Sequence, residues 1–501
     1  MKTKLVFHTV GRVLLLEAAL MLLPLIVSII YAEGCLTAFI ISAACAAIAG
    51  GLLTTLCRSD SKSLYTRDGL AIVALSWIGI SLFGALPFVI SGQIPSFVDA
   101  FFETVSGFTT TGASILKDVE TLSHGILFWR SFTHWVGGMG VLVFIMAVME
   151  KTPERSVNIL RAEMPGHNVD KLTPRASGTA KILYYIYLAM TLLETLLLLC
   201  GGMPLFDSIV HALGTAGTGG FGVKADSIAS YSCFCQWVIT VFMLLFGVSF
   251  NMYYLLLIKK WREVLKSNEL KYYFGISLAA IIIIAVIIFP VYESVSDALR
   301  LSAFQVSSIL TTTGYATADF DKWPQLAKAV LLLLMFFGGC MGSTAGGLKM
   351  SRVVVLMQIA RNDLRRALRP REVSSVILNG RRVDAHRIGA AVHAIDGRHP
   401  QNAQPQPGHA AQNALVGKVR AGGQRIQRHA ASQRLPAHLK QPVFDFCTLA
   451  QIAPALQKYI FFTVRKKGLH HAHAGQVAHA VPPQRQIAVA PDGHDPVTHY
   501  L

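Results

Sequence analysis

The sequence predicts an all-α polytopic membrane protein, and three observations carry that prediction. Of its 501 residues only 15% are charged, 53% are hydrophobic, and the mean hydropathy is +0.48. Apolar runs long enough to cross a hydrocarbon core of ~30 Å recur along the chain. Between these runs the chain inserts one kind of threonine- and glycine-rich turn three times. Such a composition excludes an ordinary soluble multidomain protein.

The candidate spans are eight apolar runs: 13–31, 36–56, 69–91, 125–149, 182–201, 234–258, 273–291 and 329–358. The first run has no small-x-small cleavage site, and a second span follows it closely. We therefore expect a retained helix rather than a signal peptide, with residues 1–60 forming two N-terminal transmembrane helices.

Basic residues indicate how the chain is threaded through the bilayer. They cluster on alternate loops, whereas the loops between carry only Lys117 and Lys224. By the positive-inside rule the basic loops and the N-terminus are cytosolic, and the three turns face the outside. The formal net charge of +17 then reflects topology, and no nucleic-acid-binding motif accompanies it. The clustered residues are Lys2, Lys4, Arg58, Lys62, Arg67, Lys151, Arg155, Arg161, Lys171, Arg175, Lys259, Lys260, Arg262 and Lys266.

The three turns align on one glycine. The segments are "FETVSGFTTTGAS" (102–114), "VHALGTAGTGGFG" (210–222) and "FQVSSILTTTGYA" (304–316), with Gly112, Gly220 and Gly314 in register. Each turn follows a span and a short amphipathic piece that begins near an aspartate, and another span comes after it. The repeated unit is a helix, a half-helix, a turn and a helix, a pattern typical of transport proteins.

A half-helix is too short to cross a bilayer, and non-helical backbone at membrane depth persists only where it lines a cavity or is buried in protein. Glycine permits the positive φ that turns carbonyls inward, and carbonyls with threonine hydroxyls can replace the hydration shell of an alkali cation. The turns therefore predict the walls of one cation-selective pore. Ordinary extracellular loops are the alternative, but three turns in register favour the pore.

Five glycines interrupt the apolar run 329–358, at residues 338, 339, 342, 346 and 347. Each costs about 0.5–1 kcal/mol relative to alanine inside a helix, so an unbroken helix is not expected. Small residues also serve tight helix packing in lipid. Because so many small residues follow one another, we favour a flexible loop beneath the turns.

Several ionisable residues lie near the turns. Arg130 and His134 begin the span after the first turn, where a functional role and a packing or snorkelling role stay open. Four acidic residues could draw cations to the outer mouth, although the aspartates could equally cap the half-helices. These acidic residues are Asp99, Glu103, Asp207 and Asp297.

Motifs for other functions are missing from the sequence. The eight cysteines have no metal-ligand spacing, and the close pair Cys233 and Cys235 is best explained as small apolar residues at a helix start. No nucleophile–base set, phosphate loop or zinc motif occurs, so we expect neither an enzyme nor a bound cofactor.

The composition changes abruptly near Asp384. Residues 385–501 hold twelve of the 17 histidines and no glutamate, methionine or tryptophan. The aligned glycines of the three turns are 108 (220 − 112) and 94 (314 − 220) residues apart. The same spacing would place a fourth turn near 410–420, but no long apolar run follows residue 384. We expect a change of reading frame and a disordered tail in place of a fourth repeat. The alternative is a metal-binding tail, because "HHAHAGQVAHA" offers several imidazoles.

Six motifs carry a resemblance to a known family. They are "SGFTTTGAS" (106–114), "WRSFTHWVGGMGV" (129–141), "RAEMPGHNVDKLTPR" (161–175), "GTGGFG" (217–222), "TTTGYAT" (311–317) and "GGCMGSTAGGLK" (338–349). The chain resembles the membrane subunit of bacterial Trk-type potassium uptake systems, in the Trk/Ktr/HKT superfamily, over about residues 1 to 384. The two spans before the repeats favour the Trk branch.

The resemblance implies four helix–pore-loop–helix units around a central potassium pathway, of which three are present. It implies a homodimer in the bacterial inner membrane, a cytosolic nucleotide-binding regulatory subunit, and no cofactor beyond K⁺ as the transported ion. The filter would comprise Thr110, Thr111, Gly112, Thr218, Gly219, Gly220, Thr312, Thr313 and Gly314. The gate would comprise Gly338, Gly339, Gly342, Gly346 and Gly347, with Lys349 either part of it or simply facing the cytosol.

On this basis repeat 1 covers residues 61–150, and a cytosolic loop covers 151–180. Repeat 2 covers 181–262, and repeat 3 covers 263–362 and includes the gate loop at 338–349. A cytosolic connector covers 363–384. The expected function is potassium uptake, by coupled symport or by channel-like conduction. The alternative is a truncated membrane protein that lacks the fourth repeat and does not conduct.

Overall fold

The computed structural model describes residues 2–58, 66–140, 176–369, 377–378 and 381–382. All of them belong to one compact unit, Met1–Lys458, and a second unit, Tyr459–Leu501, lies outside them. The end of the predicted span 125–149, most of the loop 151–180 and the tail 385–501 also lie outside the described residues.

The described residues of the N-terminal part and of the first repeat, 2–58 and 66–140, contain seven helices. They are α1 (Thr3–Leu20), α2 (Leu22–Ile30), α3 (Leu36–Leu56), α4 (Thr66–Gly84), α5 (Leu86–Ile90), α6 (Phe97–Phe108) and α7 (His124–Gly138).

Nine further helices follow in the described part of the chain. They are α8 (Ala176–Cys200), α9 (Leu205–Ala216), α10 (Cys233–Phe246), α11 (Phe250–Leu257), α12 (Trp261–Leu265), α13 (Asn268–Tyr292), α14 (Val295–Leu310), α15 (Gln325–Leu334) and α16 (Met350–Leu368). A 3₁₀ turn covers Phe320–Lys322, and two-residue strands, β1 (Ile377–Leu378) and β2 (Arg381–Arg382), pair antiparallel.

Among the described residues, five stretches are long and apolar enough to cross a membrane: Thr3–Ile30, Leu36–Leu56, Arg67–Ile90, Ala180–Cys200 and Asn268–Tyr292. The bent pair α10 and α11 is a sixth if it is counted as one span. The predicted all-α membrane fold is confirmed. The first span begins ten residues earlier than its apolar run (13 − 3), and α16 extends six residues beyond the predicted end of repeat 3 (368 − 362).

Glycine lets the first span lie close against α3. A Cβ atom on Gly50 would lie 2.7 Å from the carbonyl oxygen of Gly11, and one on Gly11 would lie 2.8 Å from that of Gly50. Such close approach through small residues is a common way to pack helices in lipid. It explains why the helix extends through Gly11, a residue outside the apolar run that predicted the span.

The apolar run 234–258 is two helices bent by 92°, not one straight span. Gly247 ends α10, and its carbonyl oxygen accepts from Cys340 N at 2.8 Å. Phe250 begins α11, and its N–H donates to the carbonyl oxygen of Gly342 at 3.1 Å. The break is stable because the glycine-rich segment between α15 and α16 pairs with the backbone groups that the bend exposes.

Candidate functional site

Three half-helices, α6, α9 and α14, each run into one of the threonine–glycine turns. We number these turns 1 (109–114), 2 (217–222) and 3 (311–316). Serine caps α6 and α14, because Ser96 Oγ accepts from Asp99 N at 3.4 Å and Ser294 Oγ accepts from Asp297 N at 3.3 Å. The suggestion that the aspartates are the caps is wrong: Asp99 and Asp297 sit three residues inside the cap and supply the amide rather than the acceptor. In α9 the N-cap position is Pro204, not Asp207.

All three turns have the same backbone conformation. The threonine two residues before the aligned glycine has a positive φ in each turn: Thr110 (54°), Thr218 (53°) and Thr312 (57°). The aligned glycine does as well: Gly112 (69°), Gly220 (84°) and Gly314 (88°). A β-branched residue at positive φ is a strained outlier, and strain of this kind concentrates at functional sites. The structure therefore confirms that the turns are repeats of one conformation.

Each turn is also tied to its half-helix by the same backbone bond. The amide just before the aligned glycine donates to the carbonyl five residues earlier at 2.9 Å, in the pairs Thr111–Ser106, Gly219–Gly214 and Thr313–Ser308. Because the turn closes on the last turn of the half-helix, the negative end of that helix lies beside it.

Most of the threonine hydroxyls in the turns are bonded to protein partners. Thr109 and Thr111 hydroxyls lie 2.8 Å apart, as do those of Thr311 and Thr313. The Thr218 hydroxyl is shared between two carbonyl oxygens, Gly217 O at 2.7 Å and Thr344 O at 3.0 Å. This arrangement leaves backbone carbonyls, rather than free hydroxyls, as the principal oxygen donors that the turns can offer to a cation.

Turns 2 and 3 touch directly. A Cβ atom on Gly220 would lie 1.9 Å from Thr313 O, so no side chain fits there. Tyr315, the residue after Gly314, is fully buried, and its hydroxyl donates to Phe221 O at 3.0 Å. The two turns are therefore held at a fixed spacing.

An ion pair buried beneath the protein surface joins repeat 1 to turn 2. Arg130 Nε lies 2.5 Å from Glu103 Oε1, and the side chains are 4% and 0% exposed. The guanidinium lies 3.6 Å over the ring of Phe221, and it donates to Gly222 O at 3.3 Å. Glu103 also accepts from Ile115 N at 3.1 Å.

This pair excludes one alternative at each of two positions. Arg130 is not a snorkelling residue, since it is buried against turn 2. Glu103 does not offer a free charge to the outer mouth, since it is buried and paired. Of the aspartates, Asp297 pairs with Arg300 at 2.6 Å, and Asp207 accepts from the Tyr231 hydroxyl at 2.8 Å.

The position of His134 explains why two residues of "GTGGFG", Gly217 and Gly219, are glycines. Its ring is buried and stacks on Phe221 with centroids 4.1 Å apart. A Cβ atom on Gly219 would lie 2.1 Å from His134 Nδ1, and one on Gly217 would lie 2.2 Å from the His134 carbonyl oxygen. The histidine therefore packs directly behind turn 2.

The glycine loop, residues 338–349, packs onto two of the turns. Gly346 N donates to Thr312 Oγ1 at 2.8 Å, while Thr344 O accepts the hydrogen bond from Thr218. The loop also folds tightly on itself, because a Cβ atom on Gly338 would lie 2.2 Å from Gly346 O. The turns and the glycine loop, predicted separately from the sequence, thus form one site.

The other loop glycines serve that fold in different ways. Gly342 and Gly347 have positive φ values of 78° and 74°. A Cβ atom on Gly339 would lie 2.6 Å from Ala345 Cβ. The ammonium group of Lys349 turns back toward the loop and donates to Ala345 O.

Sequence reasoning missed Glu269, which holds both ends of the loop. This buried residue at the start of α13 accepts from Met341 N at 2.6 Å and from Ser351 N at 3.2 Å. A glutamate at the edge of an apolar run resembles any interfacial charge, so the signal was weak. Tyr315 was also missed, although it lies in a quoted motif, because its contacts are with another repeat.

Other centres are not evident in the described ranges. No group of three or more His, Cys, Asp or Glu side chains there is placed to hold a metal ion. Seven described cysteines are free, and Cys235 is buried with its thiol against the carbonyl oxygens of Leu198 and Gly201 at the end of α8.

These observations define the class of protein: a polytopic membrane protein built from half-helix–turn units, with a folded loop packed beneath the turns. The family model described as "TrkH: Cation transport protein" matches residues 36–292 and 276–390. The chain belongs to this cation transport family, and it is therefore a transport protein rather than an enzyme. The match ends six residues after Asp384 (390 − 384), where the composition changes.

Individual relatives agree with the family match. The chain is 35% identical over 399 residues to the Trk system potassium uptake protein TrkH of Salmonella typhimurium, covering 78% of this chain and 82% of the relative. It is 34% identical to the Trk system potassium uptake protein TrkG of Escherichia coli, covering 75% and 79%. The crystal structure of the potassium transporter TrkH from Vibrio parahaemolyticus matches with a TM-score of 0.72 at 26% identity, covering 93% of this chain and 98% of that one.

Proposed function

We propose that this chain takes up K⁺ across the bacterial inner membrane through a filter formed by turns 1 to 3. The observation that carries the proposal is the shared conformation of the turns, with positive φ at a threonine and at a glycine in each. Relatives that cover most of the chain are potassium uptake proteins. Inward movement of K⁺ would use about 2.3 kcal/mol per charge for each 100 mV of membrane potential.

The proposed filter residues are the nine predicted ones, three in each turn: Thr110, Thr111, Gly112, Thr218, Gly219, Gly220, Thr312, Thr313 and Gly314. Backbone carbonyls of these residues would replace water around K⁺. The contact between turns 2 and 3 supports this assignment, since a filter has to hold its oxygens at a fixed spacing.

The glycine loop would act as the gate. Its support is position, because the loop bonds to Thr218 and Thr312, the strained threonines of turns 2 and 3. Opening would require those bonds to break, and Glu269 would hold the closed arrangement by binding both loop ends. The gate residues are then Gly338, Gly339, Gly342, Gly346, Gly347 and Lys349.

The membrane orientation and the partners of the chain are proposed from the sequence and from the family. The N-terminus would be cytosolic, as the alternating basic loops predict. The chain would form a homodimer and bind a cytosolic nucleotide-binding subunit. The predicted domain boundaries, from the N-terminal helices at 1–60 to the connector at 363–384, remain part of this proposal.

The test is uptake by cells that lack other K⁺ uptake systems and express the full chain. Gly112→Ser and Gly314→Ser are expected to lower the ratio of K⁺ to Na⁺ uptake, because both positions need a positive φ that serine rarely adopts. Gly34→Ser is the control, since a Cβ atom there would have nothing within 4 Å. Unchanged flux ratios in both filter variants would remove the filter assignment.

A second candidate is a truncated membrane protein that does not conduct. It is favoured by the end of the family match at residue 390, after three turns rather than four. Resequencing codons 370–395 separates the two candidates. A single-base correction that restores two apolar spans around a fourth turn would support the transporter, whereas a confirmed frameshift with no K⁺ uptake would support the truncated protein.

A further inference from the structure

The carbonyl that follows the aligned glycine is held in all three turns, but not in the same way. In turn 1 Ser106 Oγ donates to Ala113 O at 2.6 Å. In turn 3 Ser308 Oγ donates to Tyr315 O at the same distance. Both serines lie on the half-helix of their own repeat, six residues before the aligned glycine (112 − 106 and 314 − 308). Repeats 1 and 3 thus use one local device.

Repeat 2 cannot use that device, because Gly214 occupies the position of the serine (220 − 6). The matching carbonyl, Phe221 O, accepts instead from the hydroxyl of Tyr315 at 3.0 Å. A Cβ atom on Gly214 would lie 2.2 Å from Tyr315 Oη and 3.0 Å from Phe221 O. The missing side chain therefore leaves the space into which the tyrosine hydroxyl from repeat 3 fits.

The tyrosine is well placed to transmit position from one turn to the other. Its side chain is fully buried, and its own carbonyl is fixed by Ser308. The hydroxyl has a second, longer contact, 3.3 Å to His211 O on α9. It therefore links the backbone of turn 3 both to turn 2 and to the half-helix behind turn 2.

We propose that the Tyr315 hydroxyl is a positioning residue for ion selectivity, which replaces across the repeat boundary the serine that repeat 2 lacks. The inference rests on the proposed function, because it assumes that turns 2 and 3 line one filter. The bond orients the peptide between Phe221 and Gly222, and it fixes the backbone next to Gly220. It thereby sets the spacing between Gly220 and Thr313 O, where an added Cβ atom would lie only 1.9 Å from the oxygen. Discrimination between K⁺ and the smaller Na⁺ depends on how far such oxygens are free to move inward.

The experiment is a rescue cycle on the full chain with Tyr315→Phe, Gly214→Ser and the double variant. Tyr315→Phe should lower the K⁺-over-Na⁺ uptake ratio by about fivefold, the factor that one buried hydrogen bond is worth. Gly214→Ser should also lower the ratio, since its Cβ would overlap the hydroxyl. The double variant should recover most of the loss, because phenylalanine vacates the space and the new serine can donate to Phe221 O, as Ser106 does to Ala113 O.

Tyr187→Phe is the matched control. Tyr187 is also fully buried and its hydroxyl donates to a backbone carbonyl at 3.0 Å, but that carbonyl belongs to Trp135, outside the turns. The thermal stability of Tyr187→Phe should fall about as much as that of Tyr315→Phe, but its K⁺-over-Na⁺ uptake ratio should not change. A double variant no better than Tyr315→Phe, or equal ratios in Tyr315→Phe and Tyr187→Phe, would overturn the proposal.

A second readout separates this inference from the proposed function. Thermal unfolding of the purified full-length variants measures the same rescue without transport. If the unsubstituted chain takes up no K⁺, the proposed function fails, yet a rescued unfolding temperature would still support the link between Tyr315 and Phe221. If the chain transports K⁺ selectively and neither readout is rescued, only the positioning role fails.

Discussion

Removing one member of the Glu103–Arg130 pair is expected to destabilise the protein strongly. The charges are 2.5 Å apart and the side chains are 0% and 4% exposed, so neither can be solvated when its partner is lost. Breaking a buried pair from one side costs about 3–5 kcal/mol. Glu103→Gln keeps the size of the side chain and leaves Arg130 buried without a counter-charge. We therefore expect this variant to lose unfolding free energy within that range.

The double variant Glu103→Gln, Arg130→Met should lose less than either Glu103→Gln or Arg130→Met alone, and glutamine can still accept from Ile115 N. Removing both charges of a buried pair avoids the cost of one uncompensated buried charge. Here the double variant also loses the contact of the guanidinium with Phe221, worth about 0.5–2 kcal/mol, and its bond to Gly222 O, worth about 1 kcal/mol. We expect a net loss of about 2 kcal/mol and a strongly non-additive mutant cycle.

The assay is unfolding of the purified chain in detergent micelles. Glu263→Gln is the control, because Lys260 and Glu263 form a pair at 3.6 Å whose side chains are 55% and 57% exposed. That variant should cost at most about 0.5 kcal/mol. If Glu103→Gln costs no more than Glu263→Gln, or if the two single losses simply add, then the pair is not the buried connection between repeat 1 and turn 2 that we describe.

Three further predictions concern the filter, the gate and pH. Gly220→Ala should reduce K⁺ uptake more than tenfold, because the new Cβ would lie 1.9 Å from Thr313 O and the φ of Gly220 is +84°. Gly222→Ala is the control and should transport normally, because its Cβ would lie 3.5 Å from the nearest atom, His211 Nε2. Glu269→Ala should raise the basal K⁺ flux in proteoliposomes more than Glu269→Gln, which keeps one acceptor for the loop amides; equal basal fluxes in all three proteins would contradict the gate assignment. Burial raises the pKa of Glu33, but hydrogen bonds from the first amides and the histidine of α7 outweigh it and lower the pKa below 4.5. A carboxylate whose pKa is lowered by folding stabilises the fold at pH values above its unfolded pKa, and this stabilisation is lost as the pH falls through the folded pKa. The difference in stability between the unsubstituted chain and Glu33→Gln should therefore shrink below pH 4.5. A difference that is constant with pH would refute this prediction.

The repeated turns show how far the sequence reaches. Alignment on one glycine predicted the half-helices and the positive φ of Gly112, Gly220 and Gly314, because only the turn residues decide that local geometry. The same alignment also shows Gly214 where the other two repeats have serine. The alignment could not explain this difference, because the Tyr315 hydroxyl that replaces the serine comes from the next repeat.

Span boundaries were predicted less well, for a physical reason. Hydropathy registers only the length of an apolar run, so the 92° bend within 234–258 looked like an uninterrupted span. The bend depends on Cys340 and Gly342, which pair with the exposed backbone of Gly247 and Phe250. These partners are 93 (340 − 247) and 92 (342 − 250) residues apart along the chain. Likewise Glu103 looked like a surface charge at the outer mouth until Arg130 was seen beside it.

By itself, the sequence determined the membrane class, the repeated unit, the glycine loop and the family resemblance, because each depends on composition or on spacing along one segment. Only the tertiary structure decided which groups meet: the glycine loop with Thr218 and Thr312, Glu269 with both loop ends, and Tyr315 with Phe221. Buried polar groups need partners, and the partners of Thr218, Thr312, Glu269 and Tyr315 lie far from them along the chain, some in the same repeat and some in another. Packing between distant segments therefore selects among the contacts that the sequence permits.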